Sequence, residues 1–244
     1  MMWFNNLFRS LREDVRRFLY ARARRHVLVI GDSHIRVFEH EYFLWTLPHI
    51  RFDIVYVPGA TATGVSNSKS QTNSARIFDE AVAAHTGELV LVHLGEVDTA
   101  YTLWKKMERN GGDVEKPLAR AVRNYCTFLG ALAQRKKVLV LSACLPTLDD
   151  QATGGDEVAA IRESVKTSRK VRTELALRFN AEVAAYCEAH GIDFLSLDAD
   201  VLSADGLLAD KWINRKWPDH HYARGPFARL LAKKLVERFK APGN

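Results

Sequence analysis

Short apolar runs alternate along the chain with longer segments whose apolar residues recur every three to four positions. The short runs are rich in Val, Ile and Leu and predict five strands, at residues 27–30, 52–57, 89–94, 138–142 and 193–197. The longer segments predict helices at about residues 34–45, 72–85, 115–134, 157–189 and 224–239. Apolar strands that alternate with helices are typical of a parallel sheet covered by helices on both faces. We therefore predict an α/β three-layer sandwich with a five-stranded parallel, flavodoxin-like sheet.

The first 25 residues form a separate unit in this prediction, a basic amphipathic N-terminal helix ahead of a domain at residues 26–244. Large apolar side chains recur at helical spacing between Trp3 and Leu19, and seven arginines stand in residues 9–25 against two acidic residues. Such a helix either packs on the domain with its basic face in water or rests on an anionic membrane surface. The sequence favours packing on the domain and leaves peripheral contact with the inner membrane as the alternative.

The composition of the chain indicates which classes of protein it can belong to. The chain has 244 residues, of which 47% are hydrophobic, which is enough for one α/β core. Its apolar runs are too short to span a membrane, and no secretory signal is visible, so we expect a cytoplasmic protein. The three cysteines show no metal-binding spacing and fit a reducing compartment. The net charge is +6, but the basic residues follow no nucleic-acid-binding motif, so no nucleic-acid partner is expected.

Candidate chemistry begins at Gly31-Asp32-Ser33-His34, directly after the first predicted strand. Ser33 stands where a parallel strand passes into a helix, and ligands of open α/β sheets bind at that edge. Free N–H groups at a helix start also suit a developing oxyanion. The alternative is that Asp32 and Ser33 only cap the helix. We expect Asp32 to accept backbone N–H groups and His34 to pack or to form a wall of the site.

A second candidate block, Asp219-His220-His221, lies near the end of the chain. A serine nucleophile needs a neighbouring base, and the base needs an orienting group. Either histidine is a candidate base, and Asp219 is the candidate orienting carboxylate. The alternative is that both histidines lie on a surface turn after Pro218.

These blocks, with Pro58-Gly59 after the second strand and Gly95-Glu96-Val97-Asp98 after the third, resemble the SGNH/GDSL hydrolase superfamily over roughly residues 26–225. The combination looks like a bacterial subgroup often linked to surface-polysaccharide biosynthesis. The resemblance implies a catalytic triad of Ser33, Asp219 and His221. It also implies an oxyanion hole made by the N–H groups of Ser33 and Gly59, with Gly64 as a weaker choice. His221 is preferred to His220 because an aromatic residue and a helix start follow it, as in the family.

Two positions depart from the family pattern. The asparagine of the third block, whose side chain helps to hold the oxyanion, is Val97 here, and valine cannot donate a hydrogen bond. Asn67 or Asn73 could supply that amide instead. The last block is also one residue shorter than in the family. These departures leave open a degenerate domain that does no chemistry.

Two carboxylates, Glu96 and Asp98, follow the third predicted strand and are expected to face the same crevice as Ser33. Buried carboxylates are costly unless they are hydrogen-bonded, so one interpretation is that they bind sugar hydroxyls. His220 and Asn67 are further candidates for substrate binding. The alternatives are that Asp98 holds a loop or pairs with an arginine, or that one carboxylate orients the histidine.

Two further hypotheses concern this crevice. A tryptophan could stack on a sugar face, and the candidates are Trp104, Trp212 and Trp217. A metal site built from His93 and the two carboxylates would match no strong motif, and we expect no metal and no other cofactor.

The predicted function is that of a serine hydrolase of the SGNH/GDSL type, an esterase or deacetylase acting on an O-acylated carbohydrate or small ester. An O-acyltransferase in polysaccharide biosynthesis would use the same residues, with a sugar hydroxyl in place of water. A non-catalytic domain that binds a glycan or a partner protein is the alternative from another class.

Overall fold

A five-stranded parallel sheet forms the centre of the protein. The structure is a computed structural model and describes residues 23–67, 71–148, 165–214 and 220–240. The strands lie in the order β2-β1-β3-β4-β5, and all neighbouring pairs are parallel. They are β1 (Arg25–Gly31), β2 (Ile50–Tyr56), β3 (Leu89–His93), β4 (Lys137–Leu141) and β5 (Asp193–Leu195). The predicted flavodoxin-like sheet is confirmed.

Helices connect the strands, as expected for parallel neighbours. The α-helices of the described residues are α1 (Tyr42–Thr46), α2 (Ser74–Ala84), α3 (Leu103–Asn110), α4 (Glu115–Ala133), α5 (Arg169–Ala189), α6 (Asp198–Val201) and α7 (Arg224–Lys240). In the same described segments, 3-10 helices span Ser33–Glu39 and Asp210–Trp212, and a π-helix spans Asp98–Thr102.

Each face of the sheet carries its own apolar core, because alternate residues of a strand point to opposite faces. Leu28 and Ile30 of β1 pack with α2, α4 and α5, where Phe78 and Phe179 are fully buried. Val27 and Val29 pack on the other face with the first 3-10 helix, α1 and α7. The predicted three-layer architecture is therefore confirmed.

The helix predicted at 34–45 is wrong as a continuous element. A 3-10 helix ends at Glu39, His40 is extended, and α1 starts at Tyr42. The reason is local, because Nδ1 of His40 accepts the backbone N–H of Tyr42 at 3.1 Å, which a continuing helix would use.

Two other helices also differ from their predictions. The helix predicted at 157–189 begins at Arg169 in the described residues, where the hydroxyl of Ser168 caps it by accepting the N–H of Val171. The sequence analysis missed α3, although Leu103, Trp104 and Met107 recur at helical spacing.

Close approach of β1 to β3 sets the position of the turn that follows β1. A Cβ on Gly31 would lie 2.2 Å from the carbonyl oxygen of His93, so only glycine fits there. The loop after β2 meets this turn, since the N–H of Val57 donates to the Gly31 carbonyl at 2.9 Å.

The predicted N-terminal helix falls mainly on residues 1–22, which lie outside the described residues. Arg25 belongs to β1 and not to a helix. None of the described helices is both long enough and apolar enough to cross a membrane.

Candidate functional site

The turn after β1 places Ser33 at the first position of a 3-10 helix. Asp32 is its extended N-cap, and its Oδ1 accepts the N–H of His34 at 2.9 Å, as the sequence analysis expected. Burial alone would raise the pKa of Asp32, but the charge and hydrogen bonds of His34 outweigh burial and lower that pKa to about 2. The carboxylate is therefore ionised and fixes the turn, which leaves Ser33 at an edge where N–H groups lack helical partners.

His221 lies in contact with Ser33. Its Nε2 is 2.8 Å from the Oγ of Ser33, although 188 positions separate the two residues in the sequence. This nitrogen can accept the serine proton when Nδ1 carries the ring hydrogen.

The backbone that directly follows His221 is anchored by two residues. Tyr222 forms an isolated antiparallel bridge with Ile213, and its hydroxyl accepts the N–H of Leu145 at 2.7 Å. The N–H of Ala223 donates to the carbonyl of Trp212 at 2.7 Å. These contacts hold the segment that brings His221 to Ser33.

His34 connects the turn that carries Ser33 (the serine turn) to the segment that carries His220 and His221. Its Nδ1 lies 2.8 Å from Oδ1 of Asp32, and its Nε2 lies 3.2 Å from the carbonyl oxygen of His220. An ionised carboxylate only accepts, so Nδ1–H of His34 donates to Asp32. A carboxylate oxygen of Glu96 lies 3.9 Å from Nε2 of His34.

The predicted substrate-binding role of His220 does not fit its position. Its side chain is buried against the rings of His34 and His221, with ring centroids 5.7 and 3.9 Å away. His220 therefore packs behind the histidine that faces Ser33.

Glu96 and Asp98 are also placed differently from the prediction that they bind sugar hydroxyls. Glu96 is 2% exposed and faces His34, away from solvent. Asp98 is fully buried, and its two oxygens accept the N–H groups of Ala62 and Thr63 and the hydroxyl of Thr63. Burial raises the pKa of Asp98, while those hydrogen bonds oppose the rise. Asp98 thus holds the loop after β2, the alternative that the sequence left open.

Two further predicted residues lie at a second cavity. Gly59 and Asn67 line a cavity of about 420 Å³ along the loop after β2. Gly59 has φ of +70°, which suits glycine, and a Cβ there would meet no atom within 4 Å. Val97 is buried, and Asp219 lies outside the described residues.

Comparison with known proteins gives a clear result for the fold. No protein-family model and no curated protein matches the sequence. Solved structures do match. An acetyl xylan esterase, AlAXEase, superposes with a TM-score of 0.57 at 13% identity, covering 87% of this chain and 98% of that chain. A carbohydrate acetylesterase from Sinorhizobium meliloti gives 0.52 at 16% identity, covering 88% and 100%. A GDSL-like lipase from Bacteroides thetaiotaomicron gives 0.51 at 15% identity, covering 93% and 97%.

The chain has the SGNH/GDSL hydrolase fold. At these identities the likeness establishes the architecture, and the roles of single residues rest on this protein's own geometry.

The protein has a cavity of about 270 Å³ beside Ser33 and His221. The sequence analysis did not assign its other polar lining residues, which are Asn214, Arg36 and Arg224. Both arginines interact with Glu39, at 3.5 and 3.0 Å, so their charges are partly compensated. The signal for Arg224 was its position three residues after His221, at the start of α7.

The predicted tryptophan contacts with a sugar are wrong for two of the three candidates. Trp104 is 3% exposed, and its indole N–H donates to the carbonyl of Thr99 at 2.7 Å. Trp212 is 5% exposed and belongs to an apolar core. Trp217 lies outside the described residues.

Within the parts of the chain that the structure describes, residues with metal-binding side chains do not converge. His93 is buried, its Nε2 lies 3.6 Å from the thiol sulfur of Cys144, and burial lowers its pKa to about 4. Cys126, Cys144 and Cys187 are all buried free thiols. Across the described residues, no group of three or more His, Cys, Asp or Glu side chains is arranged to hold a metal ion.

Proposed function

We propose that this protein is a serine esterase that removes an acyl group from an O-acylated carbohydrate. The observation that carries the proposal is the 2.8 Å contact between Ser33 Oγ and His221 Nε2 at the carboxyl edge of a parallel sheet. Two solved structures with the same fold are described as acetylesterases of carbohydrates, which supports this choice of substrate.

In the proposed reaction, Ser33 Oγ attacks the acyl carbonyl carbon while His221 Nε2 takes the hydroxyl proton. Collapse of the tetrahedral intermediate breaks the bond to the sugar oxygen, which leaves with the proton from His221. Water then attacks the acyl carbonyl carbon of the acyl-enzyme while His221 takes a proton from it. Collapse of this second intermediate breaks the bond to Ser33 Oγ, which receives that proton from His221, and the carboxylic acid is released. Asp219 is the proposed orienting carboxylate.

The N–H groups of Ser33 and Gly59 are the proposed oxyanion donors. Ser33 opens a helix, and Gly59 follows β2, the strand beside β1. Val97 supplies no side-chain donor, and loss of one such donor costs about 10²–10³ in rate. We therefore expect slow turnover.

Labelling with a fluorophosphonate probe tests this proposal. The wild-type protein should be labelled, and Ser33→Ala should abolish both labelling and hydrolysis of a short-chain aryl ester. His221→Ala should abolish hydrolysis, whereas His220→Ala should retain part of it, because the carbonyl of residue 220, which lies 3.2 Å from His34 Nε2, is kept in the alanine variant. Unlabelled Ser33 together with no turnover of any ester would leave the non-catalytic alternative. Formation of acylated sugar in place of free acid would identify an acyltransferase.

A further inference from the structure

Two adjoining cavities lie beyond the loop after β2. The first, of about 420 Å³, has Gly59, Thr61 and Asn67 of that loop on one side and Lys106 and Arg120 on the other. The second, of about 560 Å³, is also lined by Lys106 and Arg120, so the two cavities form one continuous surface. It adds two more cations, Lys116 and Arg123, and one acid, Asp113.

The charge of these cavities is not compensated by ion pairs within the described residues. The neighbouring Lys105 pairs with Glu108 at 2.7 Å, and Glu115 pairs with Arg178 at 2.6 Å. Those acids are therefore engaged elsewhere, and no ion pair is formed by Lys106 or Arg120 in the described parts of the chain.

The environment of Lys106 makes an incoming anion favourable. Burial lowers the pKa of Lys106, the charge of Asp98 opposes that shift, and the charges of Arg120 and Arg109 add to it. The carboxylate oxygens of Asp98 already accept hydrogen bonds from the loop after β2. A bound anion would reduce the repulsion between the cations and the cost of burying them.

The cavity beside Ser33 differs because its cationic side chains form ion pairs. Its two arginines, Arg36 and Arg224, both interact with Glu39. Two cations that form ion pairs with one carboxylate present less free charge than two cations that form no ion pair. Selection for substrate charge is thus expected at Lys106 and Arg120.

Gly59 links the cationic surface to the serine. It begins the loop that lines the first cavity, and the N–H of Val57, two residues earlier, donates to the carbonyl of Gly31 at the serine turn. A substrate whose acyl carbonyl lies between Ser33 and Gly59 can extend along this loop, where Thr61 and Asn67 line the first cavity.

We propose that Lys106 and Arg120 form an anion-binding subsite and that the substrate is an O-acylated sugar carrying a carboxylate or phosphate group. This inference rests on the proposed esterase function for the reaction, and it names the chemical class of the substrate.

Kinetics with three matched esters test the subsite: an O-acetylated methyl glucuronide, an O-acetylated glucose phosphate and an O-acetylated methyl glucoside. Charge-assisted hydrogen bonds predict that Lys106→Gln and Arg120→Gln lower kcat/KM for the charged esters by roughly tenfold to a hundredfold. The neutral ester should change by less than about twofold, the scale of a weak, screened contact. The two charged esters show whether carboxylate or phosphate is the preferred group.

Lys105→Gln is the matched control, because it removes the same charge from the next position of α3, where the side chain pairs with Glu108. It should leave all three rates unchanged. Equal losses on charged and neutral esters in the Lys106 and Arg120 variants, or no preference of the wild-type protein for charged esters, would overturn the subsite.

Binding separates this inference from the proposed reaction. Ser33→Ala should bind methyl glucuronide or glucose phosphate more tightly than methyl glucoside in calorimetry, and added salt should weaken only the charged ligands. Charge-selective binding that is lost in Lys106→Gln, with no turnover by the wild-type protein, would support the subsite and contradict the esterase. Turnover by the wild-type protein without charge-selective binding would support the esterase and contradict the subsite.

Discussion

The imidazole Nε2 of His34 lies 3.2 Å from the carbonyl oxygen of His220, so a side chain of the serine turn holds the backbone next to His221. The other nitrogen of His34 is held by Asp32 at 2.8 Å. His34 therefore joins the segment that carries Ser33 to the segment that carries His221.

His34→Gln should impair the reaction through this link. Glutamine cannot bridge Asp32 and the His220 carbonyl with the geometry of an imidazole, so His221 should lose its alignment with Ser33. We expect kcat for an aryl ester to fall roughly tenfold or more, the worth of a charge-assisted hydrogen bond, with little change in KM. The measurement is the full kinetic profile against pH, which a purely structural role would not reshape.

His190→Gln is the control for that experiment, since His190 is exposed and stacks on Tyr186 at the far end of α5. A His34 variant with wild-type kcat and an unchanged pH profile would contradict the positioning role.

Glu96→Gln should lower turnover of sugar esters and aryl esters by the same factor. The reason is that Glu96 is 2% exposed and faces His34, which serves both substrates equally. Parallel kcat/KM measurements on the two ester types provide the comparison. A loss confined to sugar esters would restore the direct contact with sugar hydroxyls that the sequence suggested.

Asp98→Asn should destabilise the fold and displace Gly59. The amide would place an NH2 group against one of the N–H donors of Ala62 and Thr63, leaving a buried donor without an acceptor. We expect a loss of about 1–3 kcal/mol in the free energy of unfolding, measured by urea denaturation. Asp79→Asn, at an exposed carboxylate on α2, should cost far less. Full stability with selective loss of sugar-ester turnover would refute the loop-holding role.

Asp198 should make the folded state less stable as pH rises. Burial raises its folded-state pKa from 3.8 to about 6, partly offset by hydrogen bonds from Asn180, Ser142 and Ser196. A raised carboxyl pKa means that the folded state binds more protons than the unfolded state between about pH 4 and pH 6. The unfolding free energy contributed by this group therefore falls through that window and stays low above it.

Asp198→Asn removes this titration while keeping an oxygen that accepts the Asn180 amide. The stability of the variant relative to wild type should rise by roughly 2–3 kcal/mol from pH 4 to pH 7, measured by urea denaturation at each pH. The lowered pKa of His93 makes the free energy of unfolding rise over the same pH range. His93 is present in both the wild-type protein and the variant, so its contribution cancels when their unfolding free energies are subtracted. A difference independent of pH would contradict the raised pKa.

Local patterning was sufficient for the architecture. Apolar runs such as Val27–Ile30, separated by segments with helical spacing, predict parallel strands because continuous apolar strands need cover on both faces. The order of the five strands and the position of Ser33 at the end of β1 agree with that prediction. The 3-10 break at His40 was not predictable in this way, since it depends on one side-chain hydrogen bond.

The sequence by itself determined the sheet, its layers and the edge at which Ser33 lies, because these follow from which residues must leave water. Only the tertiary structure decided which neighbours the polar residues meet. His220 and His221 are adjacent and chemically alike, yet one is buried against His34 and the other faces Ser33. Glu96 and Asp98 likewise follow the same strand but reach different partners. Such choices depend on contacts between segments far apart in the chain, and a hydrogen bond at 2.8 Å has no counterpart in the periodicity of the sequence.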